Sequence, residues 1–345
     1  MIKPQIYPWL QEQWHDLLQR NQTSGLPHAM LMAGQAGLGK HDLAAATAKR
    51  LLCQRPETDQ DGLQQACSQC HSCQLFEAGT HPDFLVCQHE AKGKQIKIDA
   101  IRQVNDFLSK TPQIAASKVV QIYPLEAMNV NAANALLKTL EEPAGNSYLI
   151  LLAERMGSVL PTIKSRTQKI QITLPTKQQA TDWLSQQTWD GKEDGLSPDQ
   201  KQGMIALSLD LNANAPLKAL EWLSTEAADE NLVLFNTMHD WLSAQKDLGS
   251  IAKQLVKMEL EVLLAWWTTL SLDLLKAQMH ASDHLAHKNQ QDWLQQLAER
   301  ANKVKLFALQ EKLRQVSGRL AAAQGNYNHQ LLVESLLLDW RDIIQ

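Results

Sequence analysis

Between residues 26 and 172 short apolar runs alternate with segments of helical spacing: Ala29–Ala33 before 42–53, Lys118–Ile122 before 131–140, and 148–153 before a basic stretch. Strands that lie parallel need a crossover, usually helical, so this alternation predicts an α/β domain with a parallel sheet. After Pro175 the strand signals stop, and Ala180, Trp183, Leu184 followed by Met204, Ile205, Leu207 and Leu209 recur at helical spacing. A small helical domain ending near residue 222 is expected. From about residue 225 the chain reads as helix throughout, with apolar stripes through Leu232, Phe235, Trp241 and Leu242 and later Leu306, Leu309, Leu313, Val316 and Leu320. Residues 330–344 form a last amphipathic helix, and the boundaries are placed at 1–173, 174–222 and 223–345.

A length of 345 residues fits two or three domains at roughly 150 residues each. The 33 Lys+Arg against 37 Asp+Glu leave a formal charge of -4, so no overall basic field advertises autonomous nucleic-acid binding. The most apolar late stretch, 262–272, is fenced by Glu261 and Asp273, and the first 14 residues hold no signal-like apolar core. A soluble, cytoplasmic protein with no membrane partner is expected. Of the ten tryptophans, Trp183, Trp241, Trp266, Trp267, Trp293 and Trp340 lie in helical stretches, where core packing explains them.

Four of the five cysteines are Cys53, Cys67, Cys70 and Cys73. Without an export signal they point to metal rather than disulfides, and four thiolates close a tetrahedral structural zinc site. Cys87 reads as a small buried residue. The intervening polar segment 54–65 reads as an irregular loop.

The apolar run Ala29–Ala33 leads into Gly34-Gln35-Ala36-Gly37-Leu38-Gly39-Lys40, and a helical segment follows. Strand, glycine loop and helix together are the context of a phosphate-binding P-loop, in which Gly34, Gly37 and Gly39 free the backbone amides and Lys40 reaches the β/γ-phosphates. The Ser or Thr that would ligate Mg²⁺ is replaced by His41. The second strand, Lys118–Ile122, continues into Tyr123 and Pro124 where an active ATPase carries carboxylates. Glu126 lies past the strand end and reads as a helix-start or solvent-facing carboxylate. Hydrolysis of ATP by this chain alone is not expected; whether the degenerate loop holds a nucleotide stays open.

The run from Asn131 to Pro143, Asn-Ala-Ala-Asn-Ala-Leu-Leu-Lys-Thr-Leu-Glu-Glu-Pro, resembles the helix that follows the acidic strand in bacterial clamp-loader subunits of the AAA+ family. Ile163-Lys164-Ser165-Arg166-Thr167 resembles that family's Ser-Arg-Cys signature, with Thr167 in place of cysteine. Pro27-His28-Ala29, Gly79-Thr80-His81-Pro82-Asp83 and the cysteine module add to the match. The resemblance implies an AAA+ P-loop domain, a helical lid and an all-α collar. Lacking the hydrolytic residues yet keeping the arginine, the chain looks like the family's non-motor delta prime class. That would make Arg166 an arginine finger acting in trans on a neighbouring ATPase subunit, a contribution of about 10³ to 10⁵ in rate in the best-studied systems. The implied partners are gamma/tau-type motor and delta subunits in a five-subunit ring, the sliding clamp and, through the complex, primed DNA. A second-domain arginine of the family, expected near Asn212-Ala213-Asn214-Ala215, is absent.

Two rival readings make different demands. An active motor subunit would hydrolyse ATP unaided, against His41, Tyr123 and Pro124. A zinc-dependent nucleic-acid-binding protein would need a basic face near residues 67–97; Lys92, Lys94 and Lys97 are there, diluted by Asp83, Glu90 and Asp99.

Overall fold

Every residue of Ala29–Ala33 and of Lys118–Ile122 is buried, as expected of strands covered on both faces by helices. In the computed structural model, which describes residues 3–89, 95–192, 194–242, 247–282, 285–321 and 327–344, the chain divides into two units, one ending at Gln179 and the other beginning at Ala180.

The first unit is built on strands β1 (Ala29–Ala33), β4 (Phe84–Cys87), β5 (Lys118–Ile122), β6 (Ser147–Ala153) and β7 (Gln168–Gln171), with β2 (Glu57–Thr58) and β3 (Gln64–Gln65) forming a separate antiparallel hairpin. Its helices are α1 (Gln11–Thr23), α2 (Lys40–Leu52), α3 (His71–Ala78), α4 (Ile98–Leu108), α5 (Val130–Glu141) and α6 (Pro161–Lys164). The five long strands pair in parallel in the order β4-β5-β6-β1-β7. The sheet thus runs away from β1 to β4, returns through β5 and β6, and finishes with β7 on the other side; ligands of such sheets bind beyond the strand C-termini where the order reverses. One core fills the space between the sheet and α4 and α5, with Leu31, Val120, Ile122, Leu149, Leu151, Ile101, Val104 and Leu136 at its centre.

One expectation, the irregular loop at 54–65, is corrected. The polar segment 54–65 is ordered, because Asp59 Oδ1 accepts the N–H groups of Asp61 and Leu63 and closes the β2–β3 hairpin. The basic stretch after β6 contains α6 and β7, an edge strand without an alternating apolar pattern.

The second unit is helical: the rest of α7 (Lys177–Ser185), then α8 (Pro198–Leu211), α9 (Pro216–Ser224), α10 (Ala227–Leu242), α11 (Leu248–Leu255), α12 (Leu260–Gln278), α13 (Gln291–Arg300), α14 (Lys303–Ala321) and α15 (His329–Ile344). Trp241, Trp266, Trp267 and Trp340 are core residues of its larger bundle, with Trp293 packed against it, and Trp183 is buried as well. Leu232, read as part of a core stripe, is instead exposed. The stretch 212–215 is the turn between α8 and α9, with Ala213 and Asn214 in the left-handed region. No helix among the described residues is long and apolar enough to cross a membrane.

Candidate functional site

The glycine loop follows β1 directly. Gly34 N–H donates to the Ala153 carbonyl at 3.1 Å, and a Cβ on Gly34 would lie 2.7 Å from Ile172 Cβ and O, so only glycine lets the ends of β1 and β7 approach. Gly37 and Gly39 have φ of 82° and 80°, the left-handed region that side chains disfavour. Helix α2 then starts at Lys40, whose buried ammonium donates to Gln35 O at 3.5 Å. Gly34, Gly37, Gly39 and Lys40 therefore stand together as the sequence predicts.

The sequence reading missed what holds the loop from the side. A Cβ on Gly39 would overlap the Tyr7 ring. Tyr7 stacks on Trp9 at 5.2 Å between centroids, and its hydroxyl donates to Asp42 Oδ2 at 3.3 Å. Trp9 Nε1 donates to the Leu38 carbonyl at 3.0 Å. Burial, then the Asp42 charge, pushes the Tyr7 hydroxyl up to about 12. The only sequence signal was an aromatic pair ahead of α1, which has no periodicity to expose it.

Beyond the loop lies a cavity of about 200 Å³ lined by Lys40, His41, His89, Tyr123, Pro124, Leu152 and Glu154. The His41 ring meets Tyr123 edge-on at 4.4 Å. Loss of water around the imidazole and the Lys40 charge push His41 down to about 4 against the opposing pull of Glu154, so it is neutral near pH 7. The two positions expected to carry acids present an aromatic ring and a proline. Glu154, just past β6 and not singled out from sequence, is the one carboxylate of the lining. Glu126 lies in the short turn Leu125–Ala127 and works structurally: its Oε1 accepts the N–H groups of Glu154 at 2.6 Å and Arg155 at 2.9 Å. That turn is a short 3-10 helix with Glu126 in its first turn, as the helix-start reading expects, and the carboxylate also pins the loop after β6.

Arg166 follows α6 and is not part of that cavity lining. Its Nε and Nη2 donate to Glu141 Oε1 at 2.8 and 2.5 Å. Lys164 Nζ donates to Met156 O at 3.2 Å, and Thr167 Oγ1 to Ile163 O at 3.0 Å, so its neighbours in the Ser-Arg-Cys-like run brace the backbone. Glu141 went unnoticed in sequence because it is distant along the chain and its motif was read as a whole.

The four cysteines converge. Cys53 caps α2, Cys67 follows β3, Cys70 precedes α3 and Cys73 lies within it. Their sulfurs all lie within 4.8 Å of one another, with Cys53 Sγ 3.6 Å from Cys67 Sγ and 3.9 Å from Cys70 Sγ. A tetrahedral ion with Zn–S bonds of about 2.3 Å has edges of about 3.8 Å, so the donor set fits zinc. Cys67 N–H and Cys70 N–H point at Cys53 Sγ and Cys67 Sγ, contacts that favour thiolate sulfur. Burial opposes ionisation of Cys70, yet the N–H groups of Cys73 and Gln54 and the adjoining thiols bring it down to about 6; burial drives Cys53 and Cys73 up. Lys49 and Arg50 of α2 tie the module down through Glu77 and Ser68 and through Gln64 respectively. Lys92, Lys94 and Glu90 lie outside the described residues.

Within the Gly79-to-Asp83 run, Gly79 and Thr80 are exposed, while His81 and Asp83 form a buried polar brace. Ser72 Oγ donates to Leu52 O at 2.6 Å and so must accept from His81 Nε2 at 2.8 Å, while His81 Nδ1 accepts from Asp83 N–H at 3.0 Å. His81 is therefore the neutral Nε2–H tautomer, consistent with a pKa lowered chiefly by burial. The fully buried Asp83 carboxylate accepts from the N–H groups of Gln113 and Ile114 at 2.8 Å and Ala115 at 2.9 Å, and from Lys118 Nζ at 3.3 Å.

A family model described as DNA polymerase III, delta subunit matches residues 9–176, and a second, described as its C-terminal part, matches residues 228–342. The chain is similar to the DNA polymerase III subunit delta' of Pseudomonas aeruginosa, at 34% identity with 98% of each chain covered. It is likewise similar to that of Yersinia pestis, at 32% identity over 97% of this chain and 95% of the relative. A DNA polymerase III gamma subunit-related protein from Thermotoga maritima is matched at 18% identity, covering 96% of this chain and all of that one, with a TM-score of 0.44. With full-length relatives of one kind and family matches to both parts of the chain, the protein belongs to the DNA polymerase III delta' family.

Proposed function

We propose that this chain is the non-motor subunit of a bacterial clamp loader, acting in a five-subunit ring with gamma/tau-type motor and delta subunits to place the sliding clamp on primed DNA. The observation that carries the non-motor reading is the cavity beside Lys40, where Tyr123 and Pro124 stand in place of acids and a neutral His41 in place of the hydroxyl. A hard cation such as Mg²⁺ favours several carboxylate and hydroxyl oxygens, and Glu154 is the one carboxylate of the lining. The delta' relatives support membership of a replication assembly.

In this reading Arg166 is supplied in trans to ATP on the neighbouring motor, its permanently charged planar fork suited to phosphoryl oxygens as lysine's ammonium is not. Residues 174–222 form the lid and 223–345 the collar. Zinc on Cys53, Cys67, Cys70 and Cys73 is structural: four sulfurs leave no open coordination position for catalysis. The test is DNA- and clamp-stimulated ATP hydrolysis by a loader reconstituted with wild-type chain or Arg166→Ala, with equal assembly verified by gel filtration. A fall in turnover of at least about 10³-fold at the site served is expected; unchanged turnover leaves the chain a passive scaffold and defeats the assignment.

A further inference from the structure

Arg166 is held, not loose. Besides the two contacts to Glu141 Oε1, its Nη1 donates to Thr162 O at 3.1 Å and to Ser165 Oγ at 3.3 Å. Guanidinium carries five N–H groups, so these contacts leave one hydrogen on Nη2. Glu141 is the last residue of α5, a helix whose start is fixed by Asn129, which caps Ala132 N–H at 2.8 Å. The carboxylate is thus delivered by a rigid element to the Nε side of a side chain that otherwise has many rotamers to choose from.

We propose that Glu141 is the positioning residue for Arg166: a side-on carboxylate that sets the plane and direction of the guanidinium so that its tip serves a phosphoryl oxygen on the adjoining subunit. This rests on the trans-arginine reading above. The Nε edge lies nearest the main chain, so engaging it leaves the tip as the working end. Nη1 can exchange its backbone carbonyl and hydroxyl partners for a stronger anionic acceptor. Both partners are partly open to water, at 36% and 50% side-chain exposure, and such a pair is screened and weak. It is strong enough to bias the direction of an arginine, and too weak to keep it from a polyphosphate.

The experiment is steady-state ATP hydrolysis by the reconstituted loader carrying wild-type chain, Glu141→Gln, Arg166→Ala or both substitutions, with far-UV circular dichroism and ring assembly checked for each. An ångström of misplacement can cost about 10²-fold in rate, and a biased rather than lost orientation should cost roughly 3- to 30-fold. Glu141→Gln should therefore lower kcat by that factor, leave KM for ATP unchanged, and add nothing once Arg166 is alanine. An equal effect of Glu141→Gln in both backgrounds would show a merely structural role and overturn the proposal. So would a rise in turnover, which would make the carboxylate a restraint, or an unchanged kcat while Arg166→Ala is impaired. If Arg166→Ala itself leaves turnover intact, the trans-arginine reading fails and the positioning role falls with it.

Discussion

Replacing Asp83 with alanine removes a fully buried carboxylate and leaves three backbone N–H groups, those of Gln113, Ile114 and Ala115, without an acceptor. It also strands Lys118, itself only 3% exposed and otherwise set over the face of Phe107 at 4.0 Å. Removing one partner of a buried pair costs about 3–5 kcal/mol, against a total of about 5–15 kcal/mol for a folded protein. A loss of that size is expected in the first unit. Asp83→Asn keeps the shape and one acceptor oxygen and should lose less. Urea unfolding at pH 7 followed by far-UV circular dichroism measures it, with two transitions allowed for because there are two units. Only Trp9 and Trp14 of the ten tryptophans lie in the first unit, so fluorescence is dominated by the second unit and circular dichroism is the better probe. Hydrogen exchange at residues 113–115 localises it. A loss under about 1 kcal/mol, the net worth of one ordinary hydrogen bond, with amide protection at 113–115 unchanged, would refute the reasoning. Burial pulls the Asp83 pKa up, but the three N–H groups and Lys118 outweigh it and hold it below the usual carboxylate range. Its contribution is therefore present above the unfolded value of about 3.9 and is lost as pH falls through the folded one.

Gly39→Ala should destabilise the first unit by about 1–3 kcal/mol through its left-handed φ, with the Tyr7 overlap adding to the loss; an unchanged urea midpoint would contradict the aromatic support of the loop. Chelation should remove equimolar zinc and lower the thermal stability of the first unit, since metal affinity is there folding free energy, and unchanged melting of a demonstrably metal-free sample would sink the structural assignment. In the second unit, Asp273 accepts from His287 Nδ1 at 2.8 Å and from the N–H groups of Ala286 and His287, so Asp273→Ala should cost about 3–5 kcal/mol. Burial raises the Asp273 pKa, yet these bonds leave it lowered, so the stabilisation should fade as pH drops below the carboxylate range; a pH-independent stability difference between the two forms would count against it.

Much of the first unit was legible because its signals are local. The strands Ala29–Ala33 and Lys118–Ile122 form as the apolar runs predict, since a strand buried on both faces needs an unbroken apolar stretch. Strand β4 is apolar but only four residues long, and β7 is a polar edge strand with three of its four residues exposed, so neither stands out in the sequence. The hairpin in 54–65 was missed because its order comes from one aspartate folding over its own loop.

The sequence by itself determined which chemistries were available: the glycine spacing, Tyr123 and Pro124 in place of acids directly after β5, four thiols at metal-ligand spacing and an arginine in a recognisable run. Those are statements about residue type, and type survives without coordinates. Only the tertiary structure decided what each group touches. It set Tyr7 and Trp9 against the glycine loop, turned Glu126 into a clamp on the loop after β6, fixed the His81 tautomer through Ser72, and brought Glu141 to Arg166. All but the Ser72–His81 pair, nine residues apart, join residues 25 or more apart along the chain. No periodicity encodes such a contact; it exists because strand order and helix packing close the distance, and in a buried or crowded place every polar group must then find the partner that the fold supplies.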